Sequence, residues 1–189
     1  MAPGPQPVFY YDLGNPECYL AAERVSTALS LVPEWEPVLA VDLGVAENRV
    51  DRELIERLAA ERGLQPVRWP SRGPVDTRVA MLAATYAKLV GRAVAFSLAA
   101  FRQAFGAGRD LSERDTVLIA AAACELHPTA LLKALELRSV AHALEHATVR
   151  ARTAGVRSLP AVQVGENVFT GDAGLDDAAV ALQSTMLER

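Results

Sequence analysis

Apolar and polar positions divide the chain into two kinds of stretch. Residues 7–11, Pro-Val-Phe-Tyr-Tyr, are aromatic and β-branched and give way to Gly14, so they predict a first strand. A helix is predicted from Asn15 to about Ser30, because Cys18, Ala22, Val25 and Leu29 recur at helical spacing and form one apolar stripe. Trp35 to Val41 predicts a second strand. Two strands joined through a helix make a βαβ unit, whose crossover sets the strands parallel. After Gly44 the pattern changes to charged, alanine-rich amphipathic stretches, and helices are predicted over 52–62, 77–89, 93–105, 114–126 and 128–136. Asp76 is placed to cap the second of these and Ser112 the fourth, while Gly63 can end the first. So much nearly strandless helix predicts an inserted helical subdomain. A helix over 139–153 follows. Strands at 161–164 and 167–169 then flank Gly165-Glu166, a two-residue hairpin turn with Gly first, and a last helix runs from Leu175 to about Leu187. The reading is α/β: residues 1–43 and 139–189 form a discontinuous sheet-bearing domain around an α-helical subdomain at 44–138.

Composition narrows the function classes. The 189 residues carry a net charge of -4 and a pI near 5.4, with signs interspersed and no clustered basic stripe, so no nucleic-acid partner is expected. The opening Met-Ala-Pro-Gly-Pro lacks a basic leader, and no run of about 18 uncharged apolar residues follows, so no membrane partner is expected and the chain reads as soluble and cytoplasmic. Cys18 and Cys124 lie far apart in sequence and outside any metal-binding spacing, so no metal site and no structural disulfide are expected.

The chemistry concentrates at Asp12-Leu13-Gly14-Asn15-Pro16-Glu17-Cys18-Tyr19-Leu20, a strand-to-helix junction. Asn15 is a strong N-cap residue, and Pro16 suits the first helical position. Cys18 falls in the first turn, where the helix dipole favours thiolate and adjacent Glu17 opposes it. The same cysteine lies on the apolar stripe, so a buried, inert sulfur is the competing reading. His142-Ala143-Leu144-Glu145-His146 matches a metalloprotease pattern, but no third ligand is apparent, and a solvated helix face is the better reading. His127 precedes Pro128 at a helix end, where a cation would favour the dipole.

The junction resembles the active-site turn of the DsbA-like branch of the thioredoxin superfamily, Cys-Pro-x-Cys-Tyr-Leu, with Asn15 in place of the first cysteine. That branch includes the kappa-class glutathione transferases and the 2-hydroxychromene-2-carboxylate isomerases, whose turn reads Ser-Pro-Tyr-x-Tyr and whose serine supports a glutathione thiolate. Asn15 stands at that serine position too. The resemblance implies a thioredoxin-like fold with the helical insertion between the second and third strands. Gly155-Val156-Arg157-Ser158-Leu159-Pro160 resembles the segment that introduces the superfamily's cis-proline, which implies a cis Leu159-Pro160 bond beside the turn, with the Leu159 backbone open to an extended thiol peptide.

By the same resemblance Trp69 and Asp76, in a Pro- and Gly-rich segment, border the cleft, and Gly171 and Asp172 hold a γ-glutamyl end. From the residues alone, Trp69 reads equally as an apolar anchor, and Asp76 and Asp172 as plain helix caps. The resemblance further implies an enzyme acting on a small thiol or disulfide, with glutathione as a cosubstrate rather than a bound cofactor, and a homodimer, as kappa-class relatives commonly are. Three functions are therefore weighed. The first is a DsbA-type oxidoreductase with a degenerate Asn-Pro-Glu-Cys turn working through Cys18. The second is a glutathione-dependent isomerase or transferase using Asn15, and the third is a non-catalytic binding module.

Overall fold

The structure is a computed structural model that describes residues 6–44, 50–71 and 75–187; the opening five residues and positions 72–74 of the Pro- and Gly-rich segment lie outside it. Strand β1 (Val8–Tyr11) leads into α1 (Pro16–Ala22) and α2 (Val25–Ala28), then β2 (Glu34–Pro37). Helices α3 (Arg52–Glu61), α4 (Arg78–Leu89), α5 (Ala93–Phe101), α6 (Arg114–Ala122), α7 (Pro128–Leu135) and α8 (Arg138–Thr153) follow in the chain before β3 (Ala161–Val164), β4 (Asn167–Thr170) and α9 (Gly171–Leu187). The sheet order is β2-β1-β3-β4, with β1 parallel to β2 and antiparallel to β3, and β3 antiparallel to β4. This is the α/β thioredoxin-like fold.

Alternation along β1 sends Phe9 and Tyr11 to one face of the sheet, where they meet Trp35 at ring-centroid distances of 5.0 and 5.5 Å. The aromatic file continues from Tyr11 to Phe101, Tyr19, Phe105 and Trp69, each ring within 6.3 Å of the next. On the other face Tyr10 donates to Gln163, and buried Glu36 is held by Lys88 at 2.7 Å and Arg150 at 3.0 Å. Cys18, Ala22, Val25 and Leu29 are all buried, as their spacing predicts.

Several boundaries differ from the sequence expectation, each for a tertiary reason. The helix predicted over 15–30 is broken at Glu23 and Arg24, where Arg24 sends its guanidinium to α9 and the Thr27 hydroxyl donates to the Arg24 carbonyl. Strand β2 ends at Pro37: the Val38 N–H still reaches the Tyr11 carbonyl at 3.0 Å, but the Leu39 N–H is taken by the Thr148 hydroxyl and the Ala40 N–H by Asp12; Val41–Leu43 is a 3-10 turn. Helix α5 ends at Phe101 and passes into a π-helical turn, Arg102–Gly106. Glu113, not Ser112, occupies the N-cap of α6; Asp110 instead accepts from the Ser112 N–H. His127 caps the start of α7, its Nδ1 accepting from the Thr129 N–H. Gly63 does end α3, in the left-handed region at φ 65°.

Candidate thiol-binding site

Asn15 sits at the N-cap of α1 in extended backbone, and its Oδ1 accepts from the N–H groups of Glu17 (2.8 Å) and Cys18 (3.1 Å). Two of the helix's four orphan amides are thereby satisfied, and Pro16 fills the first helical position. The Asn15 amide Nδ2 donates to the carbonyl of Leu159 at 3.3 Å, and the Leu159-Pro160 bond is cis. Pro160 passes the connection on, its carbonyl accepting from the Gly171 N–H at 2.8 Å. Asn15, Pro16, Leu159, Pro160 and Gly171 are thus brought together from opposite ends of the chain. Asn15 as a residue is half-buried.

Cys18, expected as a candidate reactive thiol, is fully buried. Burial pushes its thiol well above the ordinary range; a backbone hydrogen bond from Asp12 opposes this, while the charges of Asp12 and Glu17 add to it. The helix dipole is outweighed by desolvation, and Cys18 has the surroundings of an inert core sulfur. Cys124 is buried as well, and its thiol is raised by desolvation first.

Asp172 occupies the first turn of α9 and serves as the junction of an ion cluster, rather than as a plain cap. One carboxylate oxygen accepts from Arg62 and the other from Arg24 at 3.3 Å, and Arg24 also bonds Asp176. Burial raises the Asp172 carboxyl, but the hydrogen bond and charge of Arg62 and those of Arg24 outweigh it, so the group lies below its ordinary value near 3.8. Asp172 in turn bears on Glu17, whose carboxyl is raised first by burial and then by that charge. Because the folded value of Asp172 is depressed, its contribution to stability is present above its unfolded value and is lost as pH falls through the folded one. Asp172→Asn should therefore be less stable than the native chain at pH 6, with the gap narrowing below about pH 4. Urea denaturation at both pH values checks this; a gap that stays constant would remove the linkage.

Sequence reasoning did not single out Asp12, which the structure places at the centre of the turn. Its buried carboxylate accepts from the Gly14 N–H at 2.9 Å and the Thr77 hydroxyl at 2.9 Å through Oδ1, and from the Ala40 N–H at 3.0 Å through Oδ2. Its carbonyl accepts from the Asn15 N–H at 3.1 Å. Burial raises its carboxyl despite these three donors. The available signal was a lone carboxylate directly after an aromatic strand and three residues before an N-cap. Arg24 and Arg62 were missed too, since nothing local marks their pairing across 148 and 110 residues.

Trp69 is half-buried against Phe105, donates through Nε1 to Glu56 at 2.6 Å, and lies under the Arg52 guanidinium at 4.9 Å. Its contacts are those of an apolar anchor on α3 and the π turn. Asp76 is exposed and accepts from the Arg78 N–H at 2.9 Å, while Thr77, not Asp76, occupies the N-cap of α4. His142, Glu145 and His146 are exposed on α8, and among the described residues no group of side chains could hold a metal ion. Two cavities, of about 360 and 500 Å³, flank β2; neither borders the Asn15 turn.

A parallel β1–β2 pair, an antiparallel β3–β4 hairpin and a cis-proline facing the N-terminus of α1 define a thioredoxin-fold protein in which the sulfur of the Asn15–Cys18 turn is buried. The chain belongs to the DSBA-like thioredoxin domain family, whose model matches residues 8–183. No curated protein matches it. Among solved structures it is similar to a 2-hydroxychromene-2-carboxylate isomerase, with 18% identity and a TM-score of 0.78 over 96% of this chain and 94% of that one. A probable DsbA oxidoreductase from Streptomyces coelicolor has 18% identity and a TM-score of 0.81 over 97% and 91%. The cytosolic disulfide reductase DsbM from Pseudomonas aeruginosa, solved with GSH, has 16% identity and a TM-score of 0.70 over 97% and 100%. At these identities the likeness is one of fold. Among the described residues no helix is long and apolar enough to cross a membrane.

Proposed function

We propose that this chain is a non-redox, thiol-binding member of its family, a glutathione-dependent isomerase or transferase in which the side-chain amide of Asn15 supports a bound thiolate. The observation that carries this reading is the side-chain amide of half-buried Asn15 at the N-terminus of α1, bonded to the Leu159 carbonyl beside the cis Leu159-Pro160 bond, while the Cys18 sulfur is sealed in the core. One amide hydrogen is directed to the Leu159 carbonyl and the other is left for an acceptor. Thiol exchange through Cys18 alone would need an accessible sulfur and its thiolate, and both are opposed by burial. Glutathione enters as a cosubstrate, consistent with a structural neighbour solved with GSH. Two free cysteines suit a cytoplasmic setting, where thiols stay reduced.

A non-catalytic binding module is the second reading, favoured by one observation: both oxygens of Asp172 are already occupied by Arg24 and Arg62, which leaves less of that carboxylate for a γ-glutamyl group. Calorimetry with reduced glutathione separates the two. Native protein should bind, and Asn15→Ala should weaken binding by about 1 kcal/mol or more, the loss of one hydrogen bond to a charged acceptor. Binding that is equal in both proteins would remove Asn15 from the role, and no binding by either would leave the module.

A further inference from the structure

The first turn of α4 is fastened to the Asn15 turn at three points. The Thr77 hydroxyl donates to Asp12 Oδ1 at 2.9 Å, and the Leu13 N–H donates to Met81 Sδ at 3.3 Å, with Thr77 and Met81 one helical turn apart on the same face. Gly14 is pressed so closely on this face that a Cβ there would lie 2.6 Å from Thr77 Cγ2. Asp12 is the shared element. The oxygen that accepts from Thr77 also accepts from the Gly14 N–H, one residue before Asn15, and the second oxygen holds the Ala40 N–H beyond β2. Asp12 and Thr77 are both buried, so water is a poor substitute for any of these partners.

We propose that Asp12 and Thr77 are a positioning pair that fixes where the Asn15 amide stands, so that the placement of the first turn of α4 is transmitted to the thiol-binding turn. Neither residue touches the ligand in this scheme. The carboxylate holds Gly14, Gly14 sets the entry of the chain into the Asn15 cap, and the Thr77 hydroxyl holds the carboxylate. The consequence for ligand binding rests on the proposed role of Asn15; the consequence for the turn does not.

The experiment is designed to keep the two apart. Thr77→Val removes the hydroxyl while preserving shape and charge, and Thr77→Ser retains the hydroxyl. Calorimetry with reduced glutathione on both variants, in the native and in the Asn15→Ala background, should show about three- to tenfold weaker binding for Thr77→Val in the native background. The Asn15→Ala background should show little further loss, and Thr77→Ser should restore near-native affinity. The melting temperature should fall by the same amount in both backgrounds, so a merely structural role would appear there without the coupling in affinity. Equal affinity losses in both backgrounds, or none in the native one, would overturn the transmission to Asn15. If the native chain binds no glutathione, the functional reading fails on its own, and amide exchange followed by NMR judges the pair. The Gly14 and Ala40 amides should exchange severalfold faster in Thr77→Val than in Thr77→Ser, and unchanged exchange would overturn the proposal.

Discussion

Asn15→Cys is expected to convert the chain into a disulfide reductase. The Oδ1 of Asn15 now receives the N–H groups of Glu17 and Cys18; once that oxygen is gone, the same two amides face a sulfur at position 15. Such donors at a helix N-terminus stabilise thiolate, which lowers the thiol pKa and supplies the attacking species. Cys18, three residues on and sealed in the core, changes from an inert sulfur to a resolving partner across the first turn. Insulin reduction with dithiothreitol should rise roughly tenfold or more over the native chain, which should stay near the uncatalysed rate. The double variant Asn15→Cys/Cys18→Ser should accumulate mixed disulfide without turnover. Robust reduction by the native chain would contradict the assignment of Asn15, and an inert Asn15→Cys would show that the turn does not hold thiol geometry.

The largest effect on stability is expected from Val25→Asp. Val25 is fully buried in α2, which packs against α9, between Cys18 and Leu29 on the stripe. A carboxylate there would be desolvated without a partner, or would be forced to protonate, and the cost is on the order of 3–5 kcal/mol. For a chain of this length that corresponds to a fall in melting temperature of about 10 °C or more. Exposed Ser26→Asp, one position along the same short helix, should stay within about 0.5 kcal/mol of native. Thermal unfolding of the pair checks the contrast, and a similar shift in both would place the effect in helix propensity rather than burial.

Much of this architecture is written locally. The stripe through Cys18, Ala22, Val25 and Leu29 is a matter of spacing, the Asn15 cap needs only an acceptor before Pro16, and Pro160 announces itself before an apolar strand. Residues whose partners are distant were not legible. Arg24 reads as one more polar residue of a long helix, yet its pairing with Asp172 and Asp176 accompanies a break in that helix. Val38 to Val41 reads as strand because its side chains are apolar; the strand ends because the Leu39 and Ala40 amides bond to Thr148 and Asp12, which no pattern within the segment reveals. Asp12 itself shows the same limit: its three donors come from Gly14, Ala40 and Thr77, and only the first is a sequence neighbour.

The pairing of β1 with β3 sets an order on the birth of the protein. Val8 stands opposite Gln163, and the Asn15 amide reaches the Leu159 carbonyl across 144 residues. During synthesis the first strand, the βαβ unit and the helices that follow can begin to organise. The wall facing Asn15 does not exist until position 159 has cleared the ribosomal tunnel. Until then the inner edge of β1 is an unpaired template, the kind of edge that invites association with other nascent chains. A chain arrested anywhere before β3 would carry Asn15 and Cys18 without the Leu159 carbonyl and the cis-proline that stand opposite them.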